Sequence, residues 1–234
     1  MCIFTYTPLD RGLLFTSNRD EVVSRATAPP DRYPHKGEVL IYPRDHQKGG
    51  SWIGMNLTTK TLGVLLNAKT KTPPKPNAFS RGWILLDLIT QTRGDRLCQK
   101  LKHTPPFQCI RCQWLKNKIL LHQIHWNGVA LTKKHLDHQR PQLFCANTLY
   151  DEPTQMQLKH RWIDWLQKTE ASPESVEIFH QMELAQHKNS PRFIKKNKDI
   201  QTVSITSFFI GKEEKKYRYY NLLKGTLCQG DLYQ

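Results

Sequence analysis

Short β-forming runs alternate along this chain with two pairs of helices, and this order limits the folds that the chain can adopt. The runs at 2–7 and 12–17 flank a Pro-Leu-Asp-Arg turn and predict an N-terminal hairpin. In chain order, the predicted strand groups and helix pairs lie at 2–7, 12–17, 51–56, 61–67, 80–102 (helices), 108–131, 143–146, 153–185 (helices), 201–210 and 215–222. Strand groups that alternate with helix pairs favour an α+β protein, with two sheets sandwiched between two helical layers.

The organisation of the chain favours one domain. No internal repeat and no linker is visible, so we predict a single domain over residues 1–234. Residues 26–50 are rich in proline, glycine and charge, and they predict a long surface excursion that ends at Gly49-Gly50.

The charge balance indicates an anionic partner. Thirty-five Lys and Arg residues against 20 Asp and Glu give a net charge of +15, and such a field attracts nucleic acids, acidic membranes or small carboxylates and phosphates. Nucleic-acid binding is not favoured, because no RNA-binding signature or helix-turn-helix pattern accompanies the basic segments. No apolar run is long enough to span a bilayer and no signal peptide begins the chain, so we predict a cytoplasmic protein. The oligomeric state stays open.

The cysteines and histidines do not form a pattern typical of a metal site. Cys109 and Cys112 form a CxxC within a β-like run, but no second cysteine pair accompanies them. His122 and His125 are three residues apart in a predicted strand and would face opposite sides. We therefore predict no metal ligands.

Cys2 is the first candidate for catalysis. Removal of the initiator methionine would leave a cysteine whose α-amine, with a pKa of about 8, lies beside its own thiol. An N-terminal nucleophile uses that amine as its base. The predicted hairpin would bring Arg19 and Asp20, which follow the second run, close to Cys2. Arg19 would favour the thiolate, and Asp20 would accept hydrogen bonds from the amine or orient Arg19.

Several motifs together closely resemble those of one protein family. They are Met1-Cys2, Asn18-Arg19-Asp20-Glu21, Ser24-Arg25 with a proline close behind, Gly49-Gly50-Ser51-Trp52-Ile53-Gly54, and Asn147 in "FCANTLYDEP". They resemble the NRDE family of the transport and Golgi organisation 2 protein and its bacterial relatives, over nearly the whole chain. The resemblance implies ligand-binding or motif roles for Asn18, Glu21, Arg25, Gly49, Gly50 and Trp52.

A more distant similarity links this layout to N-terminal cysteine amidases of the choloylglycine hydrolase type, which include penicillin V acylases. It implies a single-domain, four-layer αββα sandwich of the N-terminal nucleophile hydrolase kind, acting on a linear amide C–N bond. By this similarity Cys2 would attack the carbonyl, with Arg19 and Asp20 beside it. Asn67 in "LGVLLNAKT" would donate to the oxyanion, and Asn147 would orient the α-amine or complete the donor set.

A second hypothesis keeps the same cleft but not the catalysis. Members of the NRDE family have been implicated in haem handling, and the net charge of +15 suits an amphipathic anion. Haem, through its propionates, or an acyl-CoA or other lipid, through its phosphates, would then be the ligand. Neither hypothesis requires a cofactor.

Overall fold

The computed structural model describes residues 3–70, 77–90, 94–116, 118–188 and 200–233, and for residues 94 and 183–188 it describes the backbone alone. These residues form thirteen strands and four helices. The strands are β1 Ile3–Leu9, β2 Gly12–Val22, β3 Thr27–His35, β4 Glu38–Asp45, β5 Ile53–Asn56, β6 Thr61–Asn67, β7 Phe107–Leu115, β8 Lys118–Trp126, β9 Leu131–Leu136, β10 Gln142–Cys145, β11 Ile200–Gly211, β12 Lys215–Asn221 and β13 Thr226–Asp231. The helices are α1 Arg81–Ile89, α2 Gly94–Leu101, α3 Glu152–Lys168 and α4 Pro173–Lys188.

The chain divides into two compact units. The first combines Met1–Ser24 with Gln139–Gln234, and the second is Arg25–His138. The first contains an antiparallel sheet of order β10-β1-β2-β11-β12-β13 with helices α3 and α4, and the second contains an antiparallel sheet of order β3-β4-β5-β6-β7-β8-β9 with α1 and α2. The α+β class with two sheets is therefore confirmed, whereas the single domain stays a prediction.

The N-terminal hairpin is confirmed, but its second strand is longer than the sequence indicated. Leu9 pairs with Gly12 across a two-residue turn, and Phe4 pairs with Ser17. Strand β2 then continues through residues 18–21 to Val22, because β11 pairs with it as far as Ile200. The expectation that the charged tetrapeptide follows the strand is wrong, since hydrogen bonding to β11 keeps these residues extended.

One face of the first sheet packs against α3 and α4. Leu14 of β2 and Phe209 of β11 lie in one apolar cluster with Trp162 of α3 and Phe179 of α4. The ring centroids of Trp162 and Phe179 are 4.7 Å apart. Because Trp162 is fully buried, its truncation to alanine would cost about 3–5 kcal/mol. This packing fixes α4 over the β1–β2 hairpin.

Residues 26–50 are not a surface excursion. They contain β3 and β4, which pair from Thr27↔Asp45 to His35↔Glu38. Strand β3 is the edge of its sheet, and an edge strand tolerates prolines because one side of its backbone needs no donors. The prediction of a surface excursion over residues 26–50 was therefore wrong, and only the short turn from the end of β4 to Gly49-Gly50 lies outside the strands.

A buried carboxylate ties α1 to its surroundings in the second unit. Asp87 of α1 accepts a 3.0 Å hydrogen bond from His35 Nε2 and forms ion pairs with Lys36 and Lys100. Burial alone would raise the pKa of Asp87, but the three donors outweigh it and hold the pKa well below the usual range.

The remaining boundaries follow the predictions except in three places. Residues 127–130 of the predicted strand group 108–131 form the turn before β9, β9 continues to Leu136 beyond that group, and β13 was not predicted. In the turn, Asn127 Oδ1 accepts hydrogen bonds from the backbone N–H groups of Val129 and Ala130. Among the helices that the structure describes, none is long and apolar enough to cross a bilayer.

Candidate functional site

Three strands of the first unit bring predicted site residues to one end of its sheet. Ile3 at the start of β1 pairs with Cys145, the last residue of β10, and Asn147 follows two residues later. The neighbouring pair Phe4↔Ser17 places residues 18–21 of β2 at the same end. We call this end of the sheet the motif end, and it comprises Ile3 and residues 18–21 and 145–147. Cys2 lies outside the described residues, but it is covalently bonded to Ile3.

Strand alternation divides the tetrapeptide between the two faces of the sheet. Side chains of consecutive strand residues point to opposite faces. Asn18 and Asp20 therefore share the face that packs on the helices, whereas Arg19 and Glu21 share the other face. The contacts agree: Asn18 meets His180 of α4, and Arg19 Nη2 lies 3.9 Å from Glu21 Oε2. Asp20 is thus not oriented to lie alongside Arg19.

Asn18 takes part in a fully buried polar chain. His180 Nδ1 lies 2.6 Å from Asn18 Oδ1, and His180 Nε2 lies 2.8 Å from the hydroxyl of Thr5 on β1. All three residues are completely inaccessible to solvent. Burial lowers the pKa of His180 to about 3, so the imidazole is neutral at physiological pH.

Asp20 is half-buried and hydrogen-bonded. Its carboxylate accepts a hydrogen bond from the hydroxyl of Thr202 on β11, beside an irregularity in the β2–β11 ladder between Thr202 and Ser204. Burial raises the pKa of Asp20 and outweighs the Thr202 hydrogen bond, which acts in the opposite direction. The carboxyl is therefore closer to its protonated form than an exposed aspartate would be.

Arg19 lies on the other face in a polar, buried setting. Its side chain is 3% exposed and pairs with Glu21. Burial raises the pKa of the nearby Tyr219, while Ser204 and Arg19 act in the opposite direction. A buried guanidinium beside hydroxyl groups can hold a carboxylate or stabilise a thiolate.

Asn147 is exposed in the turn after β10, at the motif end. Asn67 ends β6 of the second unit, where it pairs with Phe107 and is half-buried.

Three further motif residues, Arg25, Gly49 and Gly50, build one turn of the second unit. Arg25 Nε lies 2.8 Å from Asp45 Oδ2, and Asp45 Oδ1 accepts from the backbone N–H of Lys48. Gly49 has φ +69°, which glycine adopts without strain. A Cβ at Gly50 would lie 2.7 Å from the Gly82 carbonyl carbon. These roles are structural.

Trp52 follows the same turn and is buried, 3% exposed. Its carbonyl accepts a 2.8 Å hydrogen bond from the backbone N–H of Leu65, joining the start of β5 to β6. Its environment is that of a core residue.

The CxxC cysteines are buried on β7. Burial raises the pKa of both Cys109 and Cys112 to about 12, so neither is a thiolate at neutral pH. Within the described ranges, no three His, Cys, Asp or Glu residues are grouped as a metal ion requires. His122 and His135 face each other across β8 and β9, with ring centroids 5.4 Å apart.

A cavity of about 1060 Å³ lies elsewhere in the first unit. It is lined by the β1–β2 turn at Asp10 and Arg11, by residues 170–174, which lead into the first turn of α4, and by Lys216 and Arg218 of β12. Residues 18–21 do not line it, because it opens at the turn end of the hairpin. Arg218 is paired there with Glu174 and Glu177.

Sequence reasoning missed His180, Thr5 and Thr202. His180 carried one usable signal, because it shares the buried face of α4 with Val176 and Phe179 at helical spacing. A polar residue on an apolar face needs a buried partner. Nothing in the sequence identified that partner as Asn18, which lies 162 residues away.

Comparison with known protein families identifies one that covers this chain. No curated protein matches this chain. The family model described as transport and Golgi organisation 2 matches residues 1–230. That match covers almost all of the 234 residues, including every motif residue described above. The chain therefore belongs to the transport and Golgi organisation 2 family, as the NRDE tetrapeptide indicated.

Proposed function

We propose that this protein is an N-terminal cysteine amidohydrolase of the four-layer αββα type, acting on a linear amide C–N bond. One observation supports the proposal: the backbone of Arg19 and Asp20 on β2, and of Asn147 after β10, lies at the end of the sheet where β1 begins, directly after Cys2. Cys2 lies outside the described residues and is bonded directly to Ile3, the first residue of β1.

The chemistry follows from the residue types. After removal of Met1, the α-amine of Cys2 takes the thiol proton and the sulfur attacks the amide carbonyl carbon, which forms a tetrahedral oxyanion. By the similarity to the amidases, Asn67 would donate a hydrogen bond to that oxyanion, and Asn147 would orient the α-amine or complete the donor set. Its collapse breaks the C–N bond, and the α-ammonium returns the proton to the leaving amine. Water then hydrolyses the thioester, which releases the acid and restores the thiol.

Arg19 and Asp20 would act on different partners. The buried Arg19 guanidinium favours the thiolate electrostatically. Asp20, whose pKa is raised by burial, would exchange hydrogen bonds with the α-amine of Cys2. Their positions on opposite faces of β2 support separate roles rather than an Arg19–Asp20 pair.

Intact-mass spectrometry and thiol labelling test this proposal. We expect protein from its native host to lack Met1, and we expect iodoacetamide to modify Cys2 at least tenfold faster than the exposed Cys98. Arg19→Lys keeps the charge, whereas Arg19→Gln should slow labelling of Cys2 several-fold. Retention of Met1 in the mature protein would refute the mechanism outright.

The net charge of +15 favours a second candidate, a binding protein for an amphipathic anion. Haem or an acyl-CoA would then bind at the motif end, with its carboxylates or phosphates close to Arg19. Haemin should shift its Soret band on titration, or acyl-CoA should raise the unfolding temperature, and both effects should persist in Cys2→Ala. No effect from either ligand would exclude this candidate.

A further inference from the structure

The cavity at the turn end of the β1–β2 hairpin has an apolar floor. Four of its lining residues belong to the apolar cluster that packs the first sheet against α3 and α4, or lie directly against it: Leu9, Leu14, Ala171 and Phe209. Leu14 is 0% exposed and Phe209 is 8% exposed. A volume of about 1060 Å³ accommodates a small organic molecule, and sites for such molecules combine apolar walls with a few polar groups. The floor therefore suits the apolar part of a ligand.

One row of cross-strand partners joins this floor to a charged rim. Leu14 pairs with Phe209, and Phe209 pairs with Lys216. Lys216 in turn pairs with Asp231. Residues directly opposite each other on antiparallel strands share a face of the sheet, so the whole row lies on one face. Neighbouring strands are about 4.8 Å apart, so its three steps span about 14 Å. A ligand that lies along the row would be apolar at one end and charged at the other.

The rim is negative, although the protein as a whole is strongly positive. Five carboxylates and three cations line the cavity, in a chain whose net charge is +15. Two of these cations are already paired. Arg218 forms ion pairs with both Glu174 and Glu177, and Lys216 Nζ lies 2.6 Å from Glu214 Oε2. Neither cation is therefore available to an anionic ligand.

Three of the lining carboxylates, by contrast, are available. The side chains of Asp10, Glu170 and Asp231 are exposed, and none of them forms a hydrogen bond or an ion pair with the part of the chain that the structure describes. Only Arg11, the third lining cation, lies near them without a carboxylate of its own among the described residues. The rim thus keeps an excess of negative charge.

The pKa of Lys216 reflects the same negative field. The hydrogen bond to Glu214 raises this pKa most, and the charges of Asp231 and Glu174 raise it further. A second cation at the rim would be stabilised by the same carboxylates, whereas a carboxylate or a phosphate would be repelled by them.

We propose that this cavity binds an organic cation with an apolar chain, such as a primary alkylammonium ion. The chain lies along the row against Leu14 and Phe209, and the ammonium group lies among Asp10, Glu170 and Asp231. The cavity is at the turn end of the hairpin and the motif end is at the opposite end of β1 and β2, so this inference does not rest on the proposed hydrolysis. The ligand has the opposite charge to the anions that the net charge of the protein attracts.

Isothermal titration of the full chain with octylammonium chloride tests the proposal. In 0.15 M salt, charges more than about 8 Å away are largely screened, so the local charges determine the preference. We expect octylammonium to bind about tenfold more tightly than hexylammonium, because it buries two more methylene groups. Octanoate has the same number of carbon atoms and the opposite charge, and it should not displace octylammonium.

A triple variant removes the available carboxylates of the rim. Asp10→Asn, Glu170→Gln and Asp231→Asn together should weaken octylammonium binding about tenfold, because three weak exposed ion pairs are lost. All three side chains are exposed, so we expect the variant to fold, and its circular dichroism spectrum checks this. The single substitution Glu170→Gln should weaken binding about twofold by the same reasoning.

A second triple variant with the same net charge is the control. Asp31→Asn, Asp95→Asn and Asp164→Asn remove three exposed carboxylates that do not line the cavity, and the affinity should stay within about twofold of wild type. Equal affinities of the two triple variants would overturn the proposal. Displacement of octylammonium by octanoate, or no binding of octylammonium at millimolar concentration, would also overturn it. Loss of binding in Cys2→Ala would place the ligand at the motif end and contradict the proposal, whereas failure of the protein to hydrolyse amides would leave it standing.

Discussion

Substitution of His180 should remove a specific part of the protein's pH dependence. Burial lowers the pKa of His180 to about 3 in the folded state, whereas an unfolded histidine has a pKa of about 6.5. Between these values the unfolded state binds one more proton, so stability is full above pH 6.5 and falls as pH decreases. A pH of 5.0 lies about 1.5 units below the unfolded pKa, and each unit corresponds to about 1.36 kcal/mol. The free energy of unfolding should therefore be about 2 kcal/mol lower at pH 5.0 than at neutral pH.

Urea denaturation at pH 7.5 and 5.0 measures this loss. We compare wild type with His180→Gln, so that the other histidines cancel, and expect the variant to lose about 2 kcal/mol less between the two pH values. The same substitution at His160, an exposed residue of α3, is the control for replacing a histidine elsewhere in the fold. Equal pH dependence in wild type and His180→Gln would refute the argument, because His180 would then be charged or accessible in the folded state.

Three further predictions concern the second unit and the thiols. Asp87→Asn should lower the free energy of unfolding by about 1–3 kcal/mol in urea titrations at pH 7. This loss is smaller than that expected for a fully buried ion pair, because the side chains of Lys36 and Lys100 are partly exposed. Gly50→Ala should cost about 1–3 kcal/mol by the same assay, since its Cβ would lie 2.7 Å from backbone at the start of α1. Cys109 and Cys112, whose pKa values are raised to about 12, should react with Ellman's reagent only on unfolding, whereas the exposed Cys98 reacts at once.

Local patterns were sufficient to predict most elements of this fold. The N-terminal hairpin and both helix pairs were recovered, because alternation and helical spacing are properties of neighbouring residues. Strand β3 was missed because Pro29, Pro30 and Pro34 read as breakers, and their tolerance depends on β3 being an edge. The end of β2 was missed for a related reason, since the pairing from Ile200 to Ser204 of β11 that extends it comes from a distant part of the chain.

The sequence identified which residues form the candidate site, but not which face of the sheet each side chain occupies. Residues 18–21 were recognised as a motif, but they were placed after the second strand, so the alternation that a strand imposes on their side chains was not predicted. As strand residues, Asn18 and Asp20 can contact α4 and β11 together, while Arg19 and Glu21 face away from them. No local pattern reveals this division.

The alternation explains why the order of the four residues matters. Exchanging Arg19 and Asp20 keeps the composition and the net charge, but it moves the guanidinium to the helix face, next to Thr202, and the carboxylate to the face of Glu21. Two carboxylates would then share one face without the guanidinium that now lies beside Glu21, and like charges there raise each other's pKa. The double variant Arg19→Asp, Asp20→Arg should therefore lose more stability than Arg19→Gln or Asp20→Asn alone, although its composition is native. Equal or smaller loss in urea titrations would show that the two faces are electrostatically equivalent and that only the content of the tetrapeptide matters.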